Sequence, residues 1–254
     1  MASNYLQLLL YKTYADLKSE SQRTYAGFFW WFAEPVISMA IYYVVFVKFF
    51  HHNEANYVPF LLVGLVIWRW FHVCLSQGAS AILNGRRLLL QLYVPKHLFH
   101  NVVILGNSYK FLFSLAVLLL FLWVYGLPPT HYYLALPLVL IIQLMFIMAC
   151  TGIAAALTPF LPDLKIVIDN LLRGVMFLSG VFYAGSIIPE KYQFYFYLNP
   201  MAVFIESYRN ILIDGTWPHW ERLTWITVAS MAGIAFGRHL LSRFDYSYPK
   251  VVQG

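Results

Sequence analysis

From Tyr132 to Leu157 the chain runs without a single charged side chain. A helix must carry roughly 20 consecutive apolar residues to cross the hydrocarbon of a bilayer. A backbone in lipid must also satisfy its own hydrogen bonds, so it crosses as an α-helix or a closed barrel. A run this long and this apolar predicts a membrane-spanning helix. Five further candidates share its character: about Gly27 to Phe50, Val58 to Leu83, Val102 to Leu127, Lys165 to Pro189 and Leu223 to Leu241. The expected fold is all-α and polytopic, with about six spans in one membrane domain covering 1–254. Charged residues make up 11% of the chain, less than half the share of a soluble domain.

The positions of Lys and Arg set the expected orientation, because cytoplasmic loops collect them. With both termini inside, Lys12, Lys18, Arg23, Arg86, Arg87, Lys96, Lys165, Arg238, Arg243 and Lys250 fall on the cytoplasmic side. Only Lys48, Lys191, Arg209 and Arg222 fall outside. The net charge of +6 then belongs to cytoplasmic loops and not to a nucleic-acid surface. The N-terminus opens on a polar amphipathic stretch, so no cleaved signal peptide is expected. Cys74 and Cys150 lie in apolar runs and read as small hydrophobes.

Three segments are not simple spans. Residues 5–25 place Leu6, Leu9, Leu10, Thr13 and Leu17 on one helical face and Lys12, Asp16, Glu20 and Arg23 elsewhere. That pattern suits a helix lying in the inner interface, or one packed on the bundle. Residues 84–101, NGRRLLLQLYVPKHLFHN, are too basic to span and too apolar for a free loop. They suggest a short helix that offers a greasy face to a partner or packs on its own protein. Residues 186–220 are cut by Pro189, Asn199-Pro200 and Asp214-Gly215 into two pieces too short to cross. A re-entrant or interfacial hairpin at the outer side is expected.

No phosphate-binding G-x-x-x-x-G-K-[ST] motif occurs, nor G-x-S-x-G, H-E-x-x-H or C-x-x-C. His51-His52 reads as a wet loop end. Carboxylates are scattered, with no clustered acid–base pair. Neither enzymatic chemistry nor a metal site is expected. The exception to blandness is Arg69, near mid-depth of its span, where an ionisable group is a functional candidate. Two roles stand open: meeting an anionic group such as a lipid diphosphate, or binding carbonyls at a half-helix end to hold a gate.

Several strings then occur in a telling order: DLKSESQRTYAGFFWWFAEP, VGLVIWRWF with SQGASAILNGRRLLLQLYVPKHL, PDLKIVIDNLL, and FLSGVFYAGSIIPEKYQFYFYLNP with MAVFIESYRNILIDG. Together they resemble the membrane subunit of ABC-2 type polysaccharide exporters over nearly the whole chain, and O-antigen exporter permeases above all. The resemblance implies an inner-membrane homodimer with two copies of a separate ATP-binding subunit, which would carry the ATP and magnesium. The exported cargo would be a lipid-linked polysaccharide, with no cofactor bound by this chain. Residues 5–25 become an interface helix, 84–101 a coupling region and 186–220 outer gate helices. Docking of the ATPase would fall on Lys12, Asp16, Arg23, Arg87, Leu89, Leu92, Tyr93 and Lys96.

An aromatic-lined path would explain 19% aromatic residues, more than interfacial belts need. The expected lining is Tyr42, Tyr43, Phe46, Trp68, Phe71, Phe177, Phe182 and Tyr183, with Arg69 among them. Tyr42/Phe46 and Trp68/Phe71 have the spacing of one helical face. Among competing readings, a drug or lipid exporter permease shares the topology, though the aromatic surplus favours sugar. A membrane-embedded transferase would need a reactive His/Asp/Glu cluster at one membrane face. A passive channel would not need two cytoplasmic docking segments.

Overall fold

The computed structural model describes residues 2–23, 25–44, 56–91 and 94–248. Among them the secondary structure is helical throughout, with no strand. In chain order the helices are α1 (Ala2–Gln22), α2 (Trp30–Tyr43), α3 (Tyr57–Ala79), α4 (Ala81–Asn84), α5 (Arg86–Gln91), α6 (His97–Tyr125), α7 (Leu136–Leu157), α8 (Leu164–Leu178), α9 (Glu190–Tyr197), α10 (Pro200–Arg209) and α11 (Trp220–Arg243). The protein is an all-α polytopic membrane protein. Among the described residues, α3, α6 and the stretch His131–Leu157 are each long and apolar enough to cross a membrane.

α3 is the hub. It packs against α6, α7, α8, α10 and α2, and Leu61, Leu62, Ile67 and Cys74 on it are almost wholly buried. A helix enclosed on most sides needs no polar face, which is why its sequence is apolar nearly all round. Trp70 stacks on Phe111 of α6 with ring centroids 4.2 Å apart, and its Nε1–H donates to Ser108 Oγ at 3.1 Å.

The most extensive helix pair is α7 with α11. Gly233 and Gly237 on α11 face Ala149, Gly152 and Ile153 on α7. A Cβ at Gly237 would sit 3.3 Å from the backbone of Gly152 and Ile153. Association in lipid relies on close packing, and small residues at four-residue spacing let two backbones approach. This interface explains why α11, less apolar than α3, α6 and α7, still has a fixed place.

α1 lies on α6. Thr13 is buried, and with Leu17 it covers Gly106 of α6. Asn101 Nδ2–H donates to Tyr5 Oη at 3.0 Å, and Lys110 reaches Glu20 at 2.5 Å. Leu6, Leu10 and Tyr14, along the flank of that face, stay exposed. The helix therefore packs on the bundle through one edge and leaves an apolar edge free.

The fifth expected span departs from the sequence reading. A continuous helix from Lys165 towards Pro189 was expected, but α8 has 15 residues and stops at Leu178. At 1.5 Å per residue it reaches about 22 Å, short of the roughly 30 Å of bilayer hydrocarbon. The chain turns at Gly180, whose φ of +67° is a left-handed conformation that favours glycine. Residues 179–189 then run irregularly to α9.

Candidate functional site

At one end of the molecule α1, α4, α5 and the start of α6 enclose a cleft of about 290 Å³. Lys12, Asp16, Asn84, Gly85, Arg87, Leu88 and Phe99 are among its lining residues. Lys12 and Asp16 form an ion pair one helical turn apart on α1. The floor is fixed by Phe99, whose ring lies where a Cβ on Gly85 would be, 2.3 Å away. The structure thus gathers three of the expected docking residues, Lys12, Asp16 and Arg87, around one concavity.

The remaining expected docking residues divide. Arg23 is exposed at the far end of α1, away from the cleft lining. Leu89 is 5% exposed and belongs to a core cluster with Ile82, Phe99, Leu241 and Tyr248. Lys96 is 4% exposed and pairs with Asp245 at 3.2 Å, just past α11. Both residues make contacts within the chain, tying the α5–α6 region to the C-terminal turn. Tyr248 completes that tie with an O–H donated to the Ala156 carbonyl at 3.1 Å. Leu92 and Tyr93 lie outside the described residues.

The expected aromatic lining divides as well. Trp68 is 3% exposed and Phe71 5%, and Phe71 stacks on Phe146 of α7 at 5.5 Å. Both rings belong to the buried core of the chain, where α7 packs on α3. Phe177 is exposed at the end of α8 and stacks on Phe182 at 5.3 Å. Tyr183 leans on Phe196 of α9 at 6.1 Å. Tyr43 is exposed on α2. The Tyr42 side chain and Phe46 lie outside the described residues. Arg69 is exposed and forms an ion pair with Glu34 of α2.

The carbonyl-binding role open to Arg69 in the sequence is filled by a different residue. Arg209, at the end of α10, is 6% exposed. Its Nη1–H donates to the Gly180 carbonyl and its Nη2–H to the Val181 carbonyl, both at 2.7 Å. Its Nε–H donates to the Phe60 carbonyl of α3 at 3.1 Å. The guanidinium lies flat over the Phe60 ring, 3.3 Å from its centroid. Gly64 on α3 makes room: a Cβ there would lie 2.7 Å from Nη2. Asn199 adds a second tie. Its Oδ1 caps α10 by accepting from Met201 N–H at 3.0 Å, and its Nδ2–H donates to Ser179 Oγ at 2.8 Å and to the Leu178 carbonyl at 3.3 Å.

The carbonyls freed by the break after α8 therefore receive side-chain donors from α10. Irregular backbone at membrane depth is tolerated only where such donors exist. α9 and α10 are held to α11 in turn. Tyr197 O–H donates to Glu206 Oε1 at 2.6 Å, Arg222 Nη1–H donates to Glu206 Oε2 at 3.0 Å, and the Arg222 guanidinium covers the Tyr197 ring at 3.6 Å. Asn199-Pro200 signalled the turn between the short helices; nothing local in the sequence signalled Arg209.

Residues 7–213 match the family described as ABC-2 type transporter. An O-antigen export system permease protein RfbA of Myxococcus xanthus is 32% identical over 229 residues, covering 89% of this chain and 88% of that protein. An RfbA of Klebsiella pneumoniae is 24% identical over 246 residues, covering 96% and 95%. The inner membrane transport permease YadH of Escherichia coli K12 is 22% identical over 186 residues, covering 69% and 72%. With a break in its fifth apolar segment, two short helices after it and a family match across most of its length, this chain belongs to the ABC-2 type transporter family.

Proposed function

We propose that this chain is the membrane subunit of an ATP-driven exporter that moves a lipid-linked polysaccharide of the O-antigen class across the bacterial inner membrane. The observation that carries this reading is the 32% identity, over nearly the full length of both chains, to an O-antigen export permease. A partner ATPase would hold ATP and magnesium and dock on the cleft between α1 and α4–α5, where Lys12, Asp16 and Arg87 offer both signs of charge. Two copies of this chain and two of the ATPase would form the working unit, with all termini cytoplasmic. Exposed rings such as Tyr43 and Phe177 would contribute to an aromatic path, while Trp68 and Phe71 back it from inside the protomer.

Deletion of the gene tests the reading. Lipopolysaccharide from the deleted strain, separated on gels, should lack long O-antigen chains, with the glycan held inside the cell. Re-expression should restore surface glycan, and the tagged chain should bring down a P-loop ATPase. Normal surface O-antigen in the deleted strain would refute the proposal.

A further inference from the structure

Away from the docking cleft and the gate, α3 and α8 share a polar stripe. Arg69, His72 and Ser76 lie on one face of α3, and Lys165, Asp169 and Arg173 on one face of α8. The two faces meet. Ser76 Oγ–H donates to Asp169 Oδ1 at 2.6 Å, and Lys165 Nζ donates to Ser76 Oγ at 3.3 Å and to Asp169 Oδ2 at 2.5 Å. His72 lies one helical turn from both Arg69 and Ser76 on this face. From the level where Ser76 meets Lys165, Arg69 lies about 10 Å up its helix and Arg173 about 12 Å up its own.

Charge is unevenly spread along the stripe. At its start Lys165 is balanced by Asp169. At mid-depth Arg69 has Glu34, and exposed Arg173 has no ion pair or hydrogen bond among the described residues. Ile166, Leu171 and Phe177 on the same helix are exposed and apolar, and Asp169, one turn before Arg173, is held by Lys165 and Ser76. A guanidinium at this depth does not face lipid tails, so the stripe faces water or an anion. A neutral sugar has no use for excess positive charge. Phosphate oxygens do, because the planar fork of Arg matches them two at a time and stays protonated when partly desolvated.

We propose that Arg69 and Arg173 form a phosphate-binding site that receives the diphosphate group of the exporter's substrate, with Glu34 sharing Arg69 with the anion. The lipid identity of that group rests on the export reading; the phosphate chemistry does not. A diphosphate has two sources, a polyprenyl head group or a soluble phosphate, and the test separates them.

The full chain is placed in phosphatidylcholine nanodiscs and titrated with farnesyl diphosphate, farnesol and inorganic pyrophosphate, followed by the fluorescence of Trp68 and Trp70 beside Arg69. Farnesyl diphosphate should bind, and farnesol at least about tenfold more weakly. Arg69→Gln and Arg173→Gln should each weaken farnesyl diphosphate by about tenfold, with Arg173→Lys falling between. Glu34→Gln should tighten it, and Arg243→Gln, at the exposed end of α11, should leave it within about twofold. Weaker binding of pyrophosphate assigns the group to a lipid head; equal binding supports the site and assigns it to a soluble phosphate. The proposal is overturned if farnesol matches farnesyl diphosphate, or if Arg173→Gln binds within twofold with an unchanged thermal midpoint. Normal surface O-antigen in the deleted strain would remove the export reading and leave this binding result standing.

Discussion

Replacing Arg209 by Leu removes three donors and a cation in one step. The Phe60 carbonyl lies inside α3 and keeps its helical partner, so its loss is small. The Gly180 and Val181 carbonyls sit in the break after α8 and depend on the guanidinium. An unsatisfied buried polar group costs about 1–3 kcal/mol, so the pair costs about 2–6 kcal/mol. Lifting the guanidinium off the Phe60 ring forfeits about 2 kcal/mol more in a desolvated site. Against this stands relief of the desolvation that a 6%-exposed charge suffers in the native protein. The net destabilisation is about 3 kcal/mol, a drop of about 10 °C in thermal midpoint for a chain of this size.

The assay is thermal unfolding of the detergent-solubilised protein, followed by tryptophan fluorescence, alongside surface glycan in cells. Arg209→Lys keeps the charge but loses the fork that reaches three carbonyls, so it should recover less than half of the loss. Gly64→Ala gives an independent route to the same defect. Its Cβ would lie 2.7 Å from Nη2 and 3.1 Å from the Val181 carbonyl, and would push the guanidinium out. The reasoning is refuted if Arg209→Leu unfolds within about 2 °C of the parent, or if Gly64→Ala is destabilised while Arg209→Leu is not.

Three further outcomes are expected. Arg87→Glu, in the cleft wall, should reduce co-purification of the partner ATPase and shift stability by no more than about 0.5 kcal/mol, whereas Leu89→Asp should lower the thermal midpoint and the yield because it buries a charge in the core. Gly237→Val should cost about 1–3 kcal/mol by forcing α11 off the α7 backbone, read as a lower midpoint with the helix content intact. Lys96→Met should cost up to about 3 kcal/mol by removing the cation that faces Asp245, and Lys96→Met with Asp245→Leu should regain part of it, because an apolar pair replaces a largely buried ion pair at little cost; equal midpoints for the single and double variants would deny the pairing.

Much of the architecture was legible from the chain, and the reason is the solvent. Lipid demands long apolar helices, so α3, α6 and α7 announce themselves by length alone, and Pro189 and Asn199-Pro200 mark off α9 and α10. The same solvent erases other signals. Because α3 is apolar on most of its sides, spacing could place Trp68 and Phe71 on one face but not say that the face was internal. The run GVMFLSGVFYAGSII stays apolar past Leu178, so the end of α8 left no polar mark. Only Ser179-Gly180 hinted at it, and isolated glycines are common in membrane helices. In residues 84–101 the apolar stripe did not say what it would meet; Leu89 packs within its own chain, in a cluster with Tyr248 and Leu241 some 150 residues further on.

The two arginines show where the limit lies. Arg69 has an ionic partner, and Glu34 was visible as the one carboxylate in the neighbouring apolar run; opposite charges in adjacent spans can be paired by inspection. Arg209 binds backbone carbonyls, which every residue possesses, so no partner stands out. In the count of Lys and Arg it falls among the outer charges, within a segment too short to span. Yet a short helix in a membrane protein implies a break nearby, and a break frees carbonyls that lipid does not solvate. The last turn of such a helix is therefore where a donor with several N–H groups is needed. On that logic, the Arg of MAVFIESYRNIL was the residue to choose, and the distance of 149 positions between it and Phe60 is the contact a sequence reading had no local means to supply.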